Sequence, residues 1–196
     1  MGIDTIAGLA RVHGRERPDK PAMTYGERTI TFGELDARSS QVAQALAADG
    51  VGPEDRVAFL DKNSVEYFEL LLGGGKLNAV NVAVNWRLAP PEVAHIVQDA
   101  QASVFVVGQE FVPVLDQIES ELTTVKKIVV IGGHDRHQDY EAWVGAQPAE
   151  DPGVQSRPDD VAFQLYTSGT TGLPKGVMLT NNNLFALLPY AAPDWG

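Results

Sequence analysis

The 196-residue sequence contains no cysteine, which excludes disulfides, thiolate nucleophiles and cysteine-ligated zinc, and which fits a cytoplasmic protein. Positive charge is scarce: 15 lysines and arginines stand against 26 aspartates and glutamates, for a formal net charge of −11. That balance argues against broad binding to nucleic acid or to an anionic membrane surface, since both need basic patches. Long apolar runs are missing too, and no stretch approaches the roughly 20 residues that a transmembrane helix requires. The first residues have neither the basic start nor the apolar run of a secretory signal. Ile6 stands where a myristoylated Gly2 favours Ser or Thr. Repeats and low-complexity tracts are absent. What is there, 44% hydrophobic and 21% charged, is the composition of a soluble globular chain. Its length suits one sizeable domain, or one domain and part of another.

Strand and helix periods alternate along the chain. Ala22–Tyr25 and Thr29–Phe32 flank Gly26-Glu27-Arg28 as a hairpin. Gly33 to Ala48 predicts a helix with Leu35, Ser39, Val42, Ala43, Leu46 and Ala47 on one face. A strand is expected at Arg56–Leu60, then a helix from Ser64 to Lys76 with Ser64 as its cap and Glu66 or Glu69 in its first turns. Further strands are expected at Asn78–Val84, Ser103–Val107 and Lys127–Ile131, and further helices at Pro90–Ala100 and Phe111–Leu122. Gln147 to Asp160 reads as a proline-containing connector. Val161–Tyr166 and Gly176–Thr180 are strands on either side of a glycine-rich loop, with a helix starting at Asn181–Leu188. The alternation predicts an α/β fold, a mainly parallel sheet with helices on both faces.

Thr167 to Gly176 packs three glycines, four hydroxyl side chains and one lysine into ten residues. Glycines allow close backbone approach, hydroxyls add adaptable donors and lysine adds a mobile charge, which together make a polyphosphate cradle. In an acidic chain, Lys175 matters all the more. A P-loop of the Walker type reads G-x-x-x-x-G-K-[ST] and passes from a strand into a helix. Here Pro174 replaces its second glycine, Gly176 replaces the magnesium-binding Ser or Thr, and Val177-Met178-Leu179 continues as a strand. The Walker reading therefore fails, leaving a different phosphate loop or a glycine-rich hairpin without a ligand.

Residue by residue, Tyr166-Thr167-Ser168-Gly169-Thr170-Thr171-Gly172-Leu173-Pro174-Lys175-Gly176-Val177 resembles the signature Y-T-S-G-[TS]-T-G-x-P-K-G-V of the adenylate-forming superfamily. That superfamily comprises acyl-CoA synthetases, luciferases and peptide-synthetase adenylation domains. Upstream, Thr31–Leu35 is similar to T-[YF]-x-E-L, and Gly50–Ala58 to G-V-x-x-G-D-R-V-A with Glu54 in place of a glycine. Asn63–Glu66 and Asn85–Leu88 are also similar to family segments, and the set favours the fatty-acyl or medium-chain CoA ligase branch. Departures exist: Asn78-Ala79 stands where the family has glycine-alanine, Ala83 replaces a proline, and Asn181 follows the second strand where a histidine is common.

The resemblance implies chemistry in which a carboxylate, a fatty acid in the favoured branch, is joined to AMP with release of pyrophosphate and the acyl group then passes to coenzyme A. It implies ATP, Mg²⁺ and coenzyme A as cofactors. Backbone and hydroxyl groups of Ser168, Gly169, Thr170, Thr171, Gly172 and Gly176 would wrap the phosphates, and Lys175 would act as the catalytic cation on departing pyrophosphate. Thr167 would contact phosphate or metal, or would only cap its strand. Residues 1–196 would then be the first subdomain of the large N-terminal domain. The rest of that domain, the small C-terminal domain and most of the coenzyme A site are expected to be absent, the chain alone inactive, and a truncated sheet edge a route to self-association. A non-catalytic folded module is the alternative. Elsewhere, Gly73-Gly74-Gly75 is either an anion nest or a place of close packing or a helix break, and the latter two are the simpler readings. His134–Asp139 is either a metal cluster or a solvated loop. His13 and His95 are isolated and read as surface or helix-face residues, and Tyr166 is expected to pack rather than to react.

Overall fold

Thr5 caps the first helix, α1 (Ile6–Glu16), by accepting from the Gly8 N–H at 3.0 Å. The computed structural model describes residues 3–167 and 173–186. After α1 comes the expected hairpin, β1 (Pro21–Tyr25) and β2 (Arg28–Thr31), a two-stranded antiparallel sheet of its own. Thr31 and Glu34 then form a reciprocal capping box at the start of α2 (Phe32–Ala48).

Next follow β3 (Arg56–Leu60), α3 (Val65–Lys76), β4 (Val80–Ala83), α4 (Pro90–Asp99), β5 (Val104–Gly108), α5 (Val112–Ile118) and β6 (Lys127–Ile131). A short β7 (Gln138–Asp139), α6 (Tyr140–Gly145), the hairpin strands β8 (Val161–Thr167) and β9 (Lys175–Thr180), and α7 (Asn181–Phe185) complete the described chain. The main sheet has the order β7-β6-β5-β3-β4-β8-β9. Its strands are parallel except for β9, which returns antiparallel to β8. Helices cover both faces. Along β3, Ala58 and Leu60 pack with α4 and α5, whereas Val57 and Phe59 pack with α2, α3 and α6. That period of two is the pleat itself.

Locally the structure differs from the sequence expectation in three places. On α2 the buried set includes Ser40 and Ala45, while Ala47 is exposed. α1 was not legible, because Gly8 and Gly14 weaken its helical signal and its burial depends on packing against α2 and α3. Within the supposed solvated loop, Asp139 is the N-cap of α6 and accepts from the Ala142 N–H at 2.9 Å. In α3, Glu66 is the acid in the first turn, as the sequence allowed, whereas Glu69 is 1% exposed and takes both Arg38 bonds at 3.1 Å and the Tyr140 hydroxyl at 3.0 Å.

The glycine triplet in α3 is explained by packing. A Cβ on Gly73 would lie 2.6 Å from Val42 Cγ1 on α2, and one on Gly75 would lie 2.6 Å from Ile6 Cγ2 on α1. At the end of α3, Lys76 is fully buried, and its ammonium donates to the Asp36 carboxylate at 2.6 Å and to Ser40 Oγ at 2.7 Å. Asp151, in the connector, stands 3.7 Å from that ammonium and accepts two bonds from Arg11 at 2.8 Å. The connector is thus tied by charge to α1 and α3.

Two departures from the family pattern take left-handed backbone: Glu54 at φ +65° and Asn78 at φ +57°. Asparagine tolerates that region, and Asn78 also donates to Asp160 at 3.0 Å. Asn181, 2% exposed, accepts from the Ile6 N–H at 3.0 Å and donates to the Arg157 carbonyl at 3.1 Å, so it fastens the base of the hairpin.

Candidate functional site

The β8–β9 hairpin carries the glycine-rich loop at its tip. Ser168, Gly169, Thr170, Thr171 and Gly172 lie outside the described residues; the described part of the site is the two stems, Val161–Thr167 and Lys175–Thr180, with Leu173 and Pro174. Cross-strand register pairs Thr167 with Lys175, Tyr166 with Gly176 and Gln164 with Met178. Chain flow is strand, loop, antiparallel strand. A Walker loop would enter a helix at this point.

Because directly opposed residues of an antiparallel pair share a face, the hairpin has two distinct sides. One side carries Gln164, Tyr166, Gly176 and Met178; the other carries Leu165, Thr167, Lys175 and Val177. Tyr166 lies across Gly176, where an added Cβ would meet Gln164 Nε2 at 2.8 Å and the phenol oxygen at 3.2 Å. The Gly176 position is therefore occupied by neighbouring side chains, a local reason for glycine that holds with or without a ligand.

Thr167 and Lys175 are both exposed at the mouth of the hairpin. Among the described residues, Lys175 takes part in no ion pair. An ammonium and a hydroxyl side by side at a loop mouth suit an oxyanion. Of this pair only the Thr167 hydroxyl oxygen could ligate a magnesium ion, which would arrive with a nucleotide and keep most of its ligands as phosphate oxygens and water, while the Lys175 ammonium would face phosphate charge. Thr167 Oγ1 is the described oxygen of the signature nearest Lys175 in the ladder. Among the described residues no cluster of three or more histidines, aspartates or glutamates is arranged to hold a metal.

Tyr166 does more than pack. Its hydroxyl donates to the Asp99 carboxylate at 2.6 Å and accepts from Gln164 Nε2 at 2.8 Å, and Gln164 Oε1 in turn accepts from Arg56 at 3.3 Å. Burial, then the Asp99 carboxylate, push the phenol well above its ordinary range, so it remains a donor. His95, read from the sequence as an isolated helix-face residue, lies 3.1 Å from the Pro174 carbonyl through Nε2. A cavity of about 290 Å³ lies beside these groups, lined by Asn85, Leu88, Glu92, Ile96, Tyr166, Thr167 and Pro174. The sequence signal for His95 and Asp99 was their spacing of four on a helix, but nothing in it said which face met the loop. In the stretch around His134, Arg136 pairs with Asp116 and, at 3.1 Å, with Glu119.

The sequence model of the AMP-binding enzyme family matches residues 10–193. The chain is 39% identical to the fatty acid–[acyl-carrier-protein] ligase ScoC of Streptomyces coeruleorubidus, over 98% of this chain and 37% of that protein. It is 40% identical to a 3-hydroxybenzoate/4-hydroxybenzoate–CoA ligase of Thauera aromatica, over 82% of this chain and 31% of that protein. Among solved structures, an anthranilate CoA ligase, AuaEII, in complex with anthranoyl-AMP, superposes with a TM-score of 0.88 at 30% identity, over 97% of this chain and 36% of that one. The chain thus spans about a third of the length of the relatives it matches. Signature, hairpin topology and comparisons agree: the chain belongs to the AMP-binding enzyme family.

Proposed function

We propose that these 196 residues form the phosphate-handling part of an ATP-dependent ligase that converts a carboxylic acid to its acyl-adenylate and passes the acyl group to a thiol. The pairing of exposed Lys175 with Thr167 at the mouth of a strand–loop–strand hairpin carries this reading. Joining a carboxylate to ATP brings two anions together, so the barrier is largely electrostatic and positional. Lys175 would neutralise charge on the pyrophosphate leaving group. Thr167 and the loop residues Ser168, Gly169, Thr170, Thr171 and Gly172 would orient the phosphates, and Mg²⁺ held with the nucleotide would supply further charge neutralisation. Coenzyme A is the proposed thiol, with most of its contacts outside these residues.

Fatty acid remains our proposed substrate class, supported by the similarity to a fatty acid–[acyl-carrier-protein] ligase. The similarity to a hydroxybenzoate–CoA ligase makes an aromatic acid the competing class. We propose the cytoplasm, where ATP is available, as the compartment of this work. We propose that most groups holding the carboxylate lie outside these residues, so that the 196 residues by themselves show no carboxylate-dependent exchange of pyrophosphate into ATP. Exchange that Lys175→Ala abolished would overturn that expectation.

Acetylation mapped by mass spectrometry tests the reading directly. Mg-ATP should protect Lys175 while exposed Lys20 and Lys126 react as before. Equal labelling of Lys175 with and without Mg-ATP would reject it.

A further inference from the structure

Backbone pairing leaves the loop end of the hairpin poorly attached to the parallel sheet. β8 joins β4 through one register pair, Asn81 with Phe163, three residues short of Tyr166. Beyond that pair the hairpin must be located by side chains. On the α4 side Tyr166 packs against the core cluster that includes Val93, Ile96 and Val97, and a cavity lined by Leu88, Glu92, Ile96, Tyr166, Thr167 and Pro174 lies at the loop end. Two hydrogen bonds bridge to the same helix. The Tyr166 hydroxyl donates to Asp99 at 2.6 Å, and His95 Nε2 meets the Pro174 carbonyl at 3.1 Å. Residues four apart on an α-helix stand one above the other on one face.

We infer that α4 is a positioning helix for the glycine-rich loop: Asp99 fixes its entry through the Tyr166 hydroxyl, and His95 fixes its exit through the Pro174 carbonyl. A carbonyl only accepts, so the contact requires a proton on His95 Nε2. The Nε2–H tautomer and the imidazolium both supply one. Pro174 has no N–H of its own and precedes Lys175 directly, so its carbonyl is the last backbone handle before the lysine. Holding Tyr166 and Pro174 to one rigid helix sets where the hairpin mouth, with Thr167 and Lys175, sits relative to the sheet. Neither His95 nor Asp99 touches the reactants in this account; both act through the loop stems. Its purpose rests on the phosphate-handling reading, but the clamp itself is a property of the ligand-free chain.

Hydrogen–deuterium exchange on the ligand-free 196-residue chain tests it. Peptides covering residues 173–180 report the exit stem, and peptides from β5 serve as the reference. His95→Leu and Tyr166→Phe should each speed exchange at 173–176 by roughly three- to ten-fold, the factor that one lost side-chain hydrogen bond supports, with β5 unchanged. His95→Gln keeps an N–H donor and should stay near wild type, which a purely space-filling role would not predict. Mg-ATP affinity should fall by a similar factor in the first two variants and hold in His95→Gln. Should His95→Leu fail to fold, Tyr166→Phe, which keeps its ring, reads the other end. Unchanged exchange in Tyr166→Phe and His95→Leu, or a His95→Gln as loose as His95→Leu, would overturn the clamp. Faster exchange in a chain whose wild type does not bind Mg-ATP would uphold the clamp and reject the phosphate reading instead.

Discussion

Replacing Gly73 by alanine and, separately, Gly74 by alanine places the same methyl group one residue apart in α3 and should give opposite results. At Gly73 the new Cβ would lie 2.6 Å from Val42 Cγ1 and 2.8 Å from the Ser39 carbonyl oxygen. Carbon contacts are normally about 3.5–4.0 Å. One of the colliding atoms is backbone of α2, so relief requires the two helices to separate. Overpacking of this kind costs about 1–3 kcal/mol. Alanine recovers about 1 kcal/mol of helix propensity over glycine. The net expectation for Gly73→Ala is a loss of about 0–2 kcal/mol. At Gly74 nothing lies within 4 Å of the added Cβ, so Gly74→Ala should gain about 1 kcal/mol. Propensity cancels between the two variants, and their difference of about 1–3 kcal/mol isolates the helix contact. For a chain of this size each kcal/mol moves the melting temperature by roughly 2–4 °C. Urea midpoints and thermal melts measure it. Indistinguishable midpoints, or Gly74→Ala the weaker, would refute the packing account of the triplet.

Glu54→Gly should stabilise the chain by about 0.5–1 kcal/mol, because relief of a left-handed glutamate exceeds the extra freedom glycine gives the unfolded chain. Asn78→Gly should instead lose about 0.5–1.5 kcal/mol with the bond to Asp160, and urea midpoints of the pair must therefore move in opposite directions. Burial raises the Asp151 carboxyl, but the Arg11 bonds, the Gly153 N–H and Lys76 outweigh it and hold the group below its ordinary value. A depressed carboxyl contributes stability above its unfolded pKa, near 3.9, and loses it as pH falls through the folded value. Asp151→Asn should accordingly cost about 1–3 kcal/mol at pH 7 and progressively less in acid, and a pH-independent difference would contradict the linkage. We also propose that β9, the edge strand, with Val177 42% exposed, pairs with a second copy of the chain. Sedimentation velocity should then show a concentration-dependent dimer that Val177→Lys weakens; a monomer at every concentration would reject the pairing.

Much of this fold could be read from the sequence, because the readable segments signal their structure locally. The Thr31–Glu34 box, the Ser64 cap and the proline start of α4 announce their helices, and the uninterrupted apolar run of β5 announces a strand buried on both faces. α1 and α6 escaped because their identity is tertiary. α1 contains two glycines, and α6 is a six-residue helix held by buried Tyr140 and Trp143. The signature identified the hairpin and its topology, since Pro174 and the strand after it left no helix for a Walker loop. It did not reveal that Gly176 makes room for Tyr166, or that α4 meets both loop stems, because both depend on which residues the folded hairpin sets opposite one another.

The most direct test of the central claim is a titration of the purified chain with Mg-ATP, followed by isothermal calorimetry for wild type and Lys175→Ala. Saturable binding that weakens by roughly ten- to hundred-fold on losing the ammonium, the range for hydrogen bonds to charged groups, is the predicted result. Wild type that binds no Mg-ATP, or Lys175→Ala that binds it equally well, would contradict a phosphate site at the mouth of this hairpin.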